Sequence, residues 1–355
     1  RPLDRAAAPV RWALLMGAYQ LLFLDRVGAH AAVHQAVEQC KRHSRNTAAF
    51  ANAVLRALQR RSAASPTHAP ALPAEDHLRF SHPAWLVNLY RAQAPARYHD
   101  ILTWNNSRCV QYARVRRALP EVLRELGPSA EHASAFGPDV LRLLDTSAVV
   151  MSHAFARGDL YIMQPWSQRV ASMVPLRAGW RVLDMCAAPG GKTIAVADRD
   201  AAHITALELD AQRAEVLRAN LRRCRLSSIA VRVMDARLAA AEFGPATFDV
   251  VLVDAPCSNL GVIQRHPEVR WRVQPDDLPR LAAAQQMLLC AARQCVRPGG
   301  FIIYAVCTVA ADETDAVIRS TLQASPDLRL QTRELTLPGD GMCDGGYWAL
   351  LQRTD

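Results

Sequence analysis

The chain has 355 residues, half of them apolar, with 42 Lys and Arg against 33 Asp and Glu and a formal net charge of +9. That length can bury a substantial core and suggests two domains, and the basic balance favours a polyanionic partner. No apolar run approaches the roughly 18 residues of a membrane span, and nine irregularly spaced cysteines without a CxxC pair argue against a disulfide framework and against bound metal.

The chain starts at Arg1 without a methionine, so a natural beginning is expected to be missing, and residues 1–15 are too interrupted for a signal peptide. Residues 10–61 have apolar positions near helical spacing, as in RWALLMGAYQLLFLDRV, and predict a small all-helical domain over 1–61. A Pro, Ala and Ser-rich stretch over 62–77 reads as a linker. Residues 78–175 form a connecting region of mixed pattern, with HPAWLVNLYRAQ and ALPEVLREL helical and CVQYARV strand-like. From 176 to 355, short β-branched runs (WRVLDM, HITALEL, IAVRVMD, FDVVLVD, GFIIYAV) alternate with helical patterns, and LRLQTRE and GYWALLQ follow as two final strands. This rhythm predicts an α/β domain with a mainly parallel seven-stranded sheet. The expected protein is cytoplasmic and monomeric.

In such a sheet ligands bind beyond the carboxyl ends of the strands, and each of those ends here carries a polar group or a thiol. The first is followed by DMCAAPGGKT, in which Gly190 and Gly191 allow close backbone approach to a ligand and the next helix offers free N–H groups. This turn matches neither the dinucleotide fingerprint nor the phosphate loop. Glu208 ends the second strand, where a carboxylate can accept from both hydroxyls of a ribose, and Asp235 stands at the matching level of the third, suited to an adenine amino group. Asp254 and Cys307 end the fourth and fifth. A nucleoside cofactor without a phosphate clamp fits this set, and S-adenosylmethionine is the leading candidate. Only Lys41 and Lys192 are lysines, arginine supplying every other basic residue, so Lys192 inside the glycine turn stands out.

DMCAAPGGKT, LVDAPCSNLGVIQRHPEVRW and YAVCTV together resemble the RNA cytosine-5 methyltransferases of the Nop/Sun family. The helical front is similar to the NusB-like RNA-binding domain of its small-subunit ribosomal RNA member, and RFSHPAWLV with WNNSRCVQYARV resembles that member's connecting, RNA-recognition region. The resemblance covers nearly the whole chain. It implies a class I (Rossmann-like) methyltransferase domain behind a NusB-like domain, with S-adenosylmethionine held by Cys186, Ala187, Ala188, Pro189, Gly190, Gly191, Lys192, Glu208, Asp235 and Asp254, and 16S ribosomal RNA as partner.

Cytosine C5 is a weak nucleophile until a thiolate adds at C6, which explains a need for cysteine. In cytosine-5 enzymes acting on DNA the Pro-Cys thiol attacks, which would choose Cys257. The RNA family attacks with the later cysteine, so the resemblance implies Cys307 as nucleophile and Cys257 as the group assisting breakdown of the adduct. It further implies Asp254 at cytosine N3 and Lys192 as an orienting group, while Arg265, His266, Arg270 and Trp271 suit the surrounding RNA. The chain departs from the family pattern at Val306-Cys307-Thr308, usually Thr-Cys-Ser, and at Gln164-Pro165-Trp166, where a Gln-Asp pair usually precedes the first strand. Competing expectations are a transfer RNA or another ribosomal cytosine as target, or an inactive RNA-binding assembly factor.

Overall fold

A computed structural model describes residues 3, 6–24, 26–64, 73–199 and 203–354 of the chain. Its backbone divides into two units, Arg1–Glu75 and Asp76–Asp355. The first is three helices, Ala8–Phe23, Ala29–Lys41 and Arg45–Ala64, packed through Val10, Leu14, Val33, Ala36, Ala51 and Leu55. The small Ala36 and Ala51 among these contacts let the helices approach closely. The third helix runs to Ala64 and another starts at Asp76, so both ends of the expected 62–77 linker are helical; residues 65–72 lie outside the described set.

In the second unit the residues of the connecting region are not set apart from the catalytic half. The helices Ala84–Gln93 and Tyr98–Asn106 precede a four-stranded antiparallel sheet of β1 (Gln111–Val115), β2 (Ala130–His132), β3 (Val140–Leu143) and β4 (Leu160–Ile162), in the order β2-β3-β1-β4. Sequence pattern showed only β1 of these. The others are three or four residues long, too short for alternation to register.

The large sheet consists of β5 (Arg181–Asp184), β6 (His203–Glu208), β7 (Ala230–Val233), β8 (Phe248–Asp254), β9 (Val296–Val306), β10 (Leu328–Thr336) and β11 (Gly346–Arg353). Their order is β10-β11-β9-β8-β5-β6-β7, with β11 antiparallel to β9 and β10, and the pairs β9-β8-β5-β6-β7 parallel. Helices cover both faces, so consecutive apolar residues are buried on opposite sides. Val251 and Val253 join Leu289 and Tyr304 in one layer, while Val250 and Leu252 join Ile194 and Leu217 in the other. Parallel pairing brings the ends of β5, β6 and β8 to one edge, and the order reverses between β5 and β8, where a crevice opens.

One arginine fastens the small sheet to the large one. Arg116, just beyond β1, donates from Nη2 and Nε to Asp198 at 2.6 and 2.9 Å, and from Nη1 to the carbonyls of Gly158 and Cys224 at 2.7 and 2.9 Å. Its planar fork is thus fully used in a partly buried site. Arg116→Leu leaves two carbonyls and part of a carboxylate without donors, so it should lower unfolding stability by about 3 kcal/mol, read as an earlier urea midpoint at unchanged slope.

Candidate active site

The site is built on the ends of β5, β8 and β9. Beyond β5 the chain turns through Gly190, whose φ of +113° suits glycine and where a Cβ would meet Leu217 Cδ1 at 2.8 Å. The turn is anchored below by Asp184, fully buried, which accepts from Thr193 Oγ1 at 2.6 Å and from the Cys186 amide at 3.4 Å. Burial pushes the Asp184 carboxyl up to about 7, against the pull of the Thr193 bond.

The helix that follows starts at Gly191 and carries Lys192 inward. Lys192 Nζ donates to Asp254 Oδ2 at 2.6 Å and lies 5.6 Å from the centre of the Trp166 ring. Burial opposes the charge, but Asp254 and Cys307 outweigh it and hold the ammonium above its usual range. In this departure Pro165 stands where the family's Asp would follow Gln164, and the next residue, Trp166, turns its aromatic face to the same lysine and is 2% exposed in the core of the unit.

Two thiols stand beside this pair. Cys257 and Cys307 line one cleft of about 730 Å³ with Asp254, Glu208, Asp235, Met234, Ala236 and Met287. Burial raises the Cys307 thiol to about 11, and the Lys192 ammonium is the main opposing influence. Cys257 is raised still further by burial, Cys307 and Glu313, with no cation among its influences. Its Sγ donates to Asn259 Oδ1 at 3.6 Å. Of the two thiols, Cys307 is the one at which the Lys192 ammonium works against burial.

The loop after Cys257 was expected to face RNA, and most of it does not. Leu260, Ile263 and Val269 are buried against the helices Ala84–Gln93 and Tyr98–Asn106. Gly261 donates to the Cys307 carbonyl at 3.0 Å and accepts from Gly345 at 2.8 Å; a Cβ there would collide with the Gly345 carbonyl. Arg270, expected at the RNA, is 5% exposed and donates to Ser81 O, Asn106 Oδ1 and Asn105 O at 3.1, 2.7 and 3.0 Å, clamping the loop to the end of the helix Tyr98–Asn106 and the turn at Ser81. Trp271 and His266 remain exposed. Arg265 is bonded to Asp344 at 2.8 Å and lines a smaller hollow of about 200 Å³ with Gln164, Ser167, Lys192 and Asp254.

The second departure is absorbed by a hydroxyl: Thr308 Oγ1 lies 2.8 Å from Ser258 Oγ, tying the two cysteine loops together, while Val306 is core. Sequence reasoning missed Glu313, Gln285 and Asp344, all buried around these loops. No local signal marks them, because an acid within ADETD reads as a solvated helix start.

On the cofactor side, Glu208 is buried, its Oε1 accepts from the Asp210 amide at 3.1 Å, and its Oε2 has no hydrogen-bond partner among the described residues, although Arg213 Nη2 stands 3.5 Å away. An unpartnered buried acceptor beside an apolar cleft fits a ligand with ribose-like hydroxyls. Asp235 is half-buried on the same cleft, and Arg237 holds its carboxyl below the usual range.

A model of the 16S ribosomal RNA methyltransferases RsmB/F matches residues 171–344, and a NusB family model matches residues 1–60. The ribosomal RNA small subunit methyltransferase B of Vibrio cholerae is 32% identical over 99% of this chain and 83% of its own. The chain belongs to the RsmB/F family of ribosomal RNA methyltransferases. The protein of the same name from Erwinia tasmaniensis is 34% identical, over 99% of this chain and 84% of its own. Among solved structures, that of NSun6 from Pyrococcus horikoshii with SFG has the same fold, with a TM-score of 0.67 at 17% identity over 77% of this chain and 98% of that one. The chain is an RNA methyltransferase that uses S-adenosylmethionine and acts on ribosomal RNA. Among the described residues, no helix is long and apolar enough to cross a membrane.

Because the free Cys307 thiol lies near 11, its thiolate fraction rises tenfold per pH unit from pH 7 to about pH 10. Iodoacetamide labelling of the Cys307 peptide, followed by mass spectrometry, should show that slope; Lys192→Met should lower the labelling rate at every pH in this range.

Proposed function

We propose that the enzyme methylates C5 of a cytosine in 16S ribosomal RNA through a covalent bond between Cys307 Sγ and C6. The observation that carries this reading is the placement of two thiols on one cleft with a buried lysine–aspartate pair between that cleft and the smaller hollow. Methylation of an amino nitrogen needs no thiol; methylation of a ring carbon does.

The bound cofactor supplies an electrophilic methyl group at a sulfonium. Glu208 takes its ribose hydroxyls and Asp235 its adenine amino group, while Met234, Ala236 and Met287 line the apolar part of the cleft. Residues 186–192 would help hold the cofactor: Cys186 and Ala188 line the same cleft, and Ala187, Pro189, Gly190, Gly191 and Lys192 continue the turn, most of them facing the smaller hollow.

The target base lies in a stack within RNA and must be flipped or already unpaired. Asp254, its Oδ2 fixed by Lys192, meets N3 and stabilises the ring as Cys307 Sγ bonds to C6. This addition saturates C6, and as N3 takes up a proton the electron pair moves into a C4–C5 enamine whose C5 forms the new bond to the methyl group, the methyl–sulfonium bond breaking to leave a neutral thioether. Loss of the C5 proton to a base then restores the double bond and expels the Cys307 thiolate, and Cys257 assists that step. Lys192 supports the Cys307 thiolate electrostatically, which favours Cys307 over Cys257 for attack. Arg265, His266 and Trp271 meet the RNA around the base, with Arg265 at the mouth of the hollow; Arg270 acts from within as a clamp on the loop. Residues 1–61 act as an RNA-binding module, and residues 78–175 as a second recognition region.

The test is to incubate the protein with labelled S-adenosylmethionine and unmodified 16S ribosomal RNA and map 5-methylcytosine. Cys307→Ala should abolish both methylation and covalent capture of RNA, whereas Cys257→Ala should accumulate a protein–RNA adduct that survives denaturation. The reverse pattern exchanges the two roles, and label outside cytosine C5 rejects the chemistry.

A further inference from the structure

Behind Cys257 lies a buried polar network that the reaction above does not use, in which Glu313 Oε1 has no hydrogen-bond partner among the described residues. Glu313 and Gln285 are fully buried, with Ser258, Tyr304 and Thr308 at 2% exposure or less around them. Glu313 Oε2 accepts from the Ser258 amide at 2.9 Å and from Gln285 Nε2 at 2.9 Å. The same Gln285 nitrogen donates to the Pro256 carbonyl at 3.0 Å. Tyr304 donates to Gln285 Oε1 and to the Glu313 carbonyl at 3.0 and 2.7 Å.

The two peptide units flanking Cys257 are therefore bonded to one pair of side chains. Pro256 O is held on one side of the thiol and Ser258 N–H on the other, which fixes where Cys257 Sγ can point. A fully buried carboxyl is costly to desolvate, and burial raises Glu313 above its usual range despite the bonds it accepts. An apolar residue there would avoid that cost but leave Ser258 N–H without an acceptor and Gln285 Nε2 with the Pro256 carbonyl alone.

We propose that Glu313, with Gln285, is a positioning residue that aims Cys257 for breakdown of the RNA adduct, an inference resting on the assignment of Cys257 to that step. Cys307 follows the end of β9 and meets this network through its neighbour Thr308, whose Oγ1 lies 2.8 Å from Ser258 Oγ, whereas Glu313 and Gln285 bond directly to the peptide units of Cys257. Loss of Glu313 should therefore slow release more than attack.

The experiment compares Glu313→Ala, Glu313→Gln and Gln285→Ala with Cys257→Ala and the unaltered enzyme, using full-length protein, labelled cofactor and unmodified 16S ribosomal RNA. Turnover, KM for RNA and the fraction of RNA held in a denaturation-resistant adduct are measured. Glu313→Ala should lower kcat about tenfold or more and accumulate adduct as Cys257→Ala does, with KM unchanged. Glu313→Gln keeps an oxygen for the Ser258 amide and should restore release. Gln285→Ala, which removes the Pro256 anchor while leaving Glu313 in place, should trap adduct to a smaller extent, and it reads the same network should Glu313→Ala not fold.

Adduct in Cys257→Ala without adduct in the folded Glu313 and Gln285 variants overturns this inference alone. Equal loss of methylation and adduct in those variants overturns it too, because attack would then depend on the network. Absence of adduct in Cys257→Ala overturns the two-cysteine assignment, and this inference with it.

Discussion

The buried contact between Lys192 and Asp254 is the constraint around which the catalytic unit is organised. An ammonium nine-tenths removed from solvent is tolerable only with a partner, since an uncompensated buried charge costs several kcal/mol. Three separate elements meet that need: the turn after β5 delivers the lysine, the end of β8 the carboxylate, and the helix Pro165–Met173 the face of Trp166. The sheet order, with β5 beside β8 and β8 beside β9, then brings the same ammonium next to Cys307. One charge thus serves the fold, the Asp254 carboxylate and the Cys307 thiol.

The two cysteines differ by environment rather than by motif. Both are raised by burial, and only Cys307 is countered by a cation. Their loops are joined through Ser258 and Thr308 hydroxyls and through the Gly261 amide on the Cys307 carbonyl. A displacement of either loop would be felt by the other, which suits the proposal that the two thiols act in turn on one base.

Arginine carries more of the architecture than the overall charge suggests. Arg116 joins the small sheet to the helices of the large one, Arg270 clamps the cysteine loop onto the end of the helix Tyr98–Asn106 and the turn at Ser81, and Arg223 lies 4.0 Å from the centre of the Phe155 ring. The guanidinium can do this because its planar donors reach several carbonyls at once. Part of the positive charge is consequently internal, and the RNA-facing share is smaller than a count of basic residues implies.

Much of the fold and part of the site were legible in the sequence. The seven strands follow from β-branched runs between helical periods, and the ends of those runs pointed to Glu208, Asp254 and Cys307, because a parallel sheet sends every strand end to one edge. The paired glycines at 190–191 marked the turn through a requirement of local backbone geometry. The strands β2 to β4 escaped because pieces of three or four residues carry no period, and Arg270 was misread because a charged residue in a polar-looking loop gives no local sign that it is enclosed. Burial of Glu313, Gln285 and Asp344 was equally hidden, since it depends on elements distant in the chain closing over them. The sequence by itself determined the elements, the order of strand-end groups and the two-cysteine motifs, all properties of short stretches. Only the tertiary structure decided which cysteine the lysine acts on, which aromatic face stands over that lysine, and which arginines are enclosed, because each depends on which groups exclude water from one another.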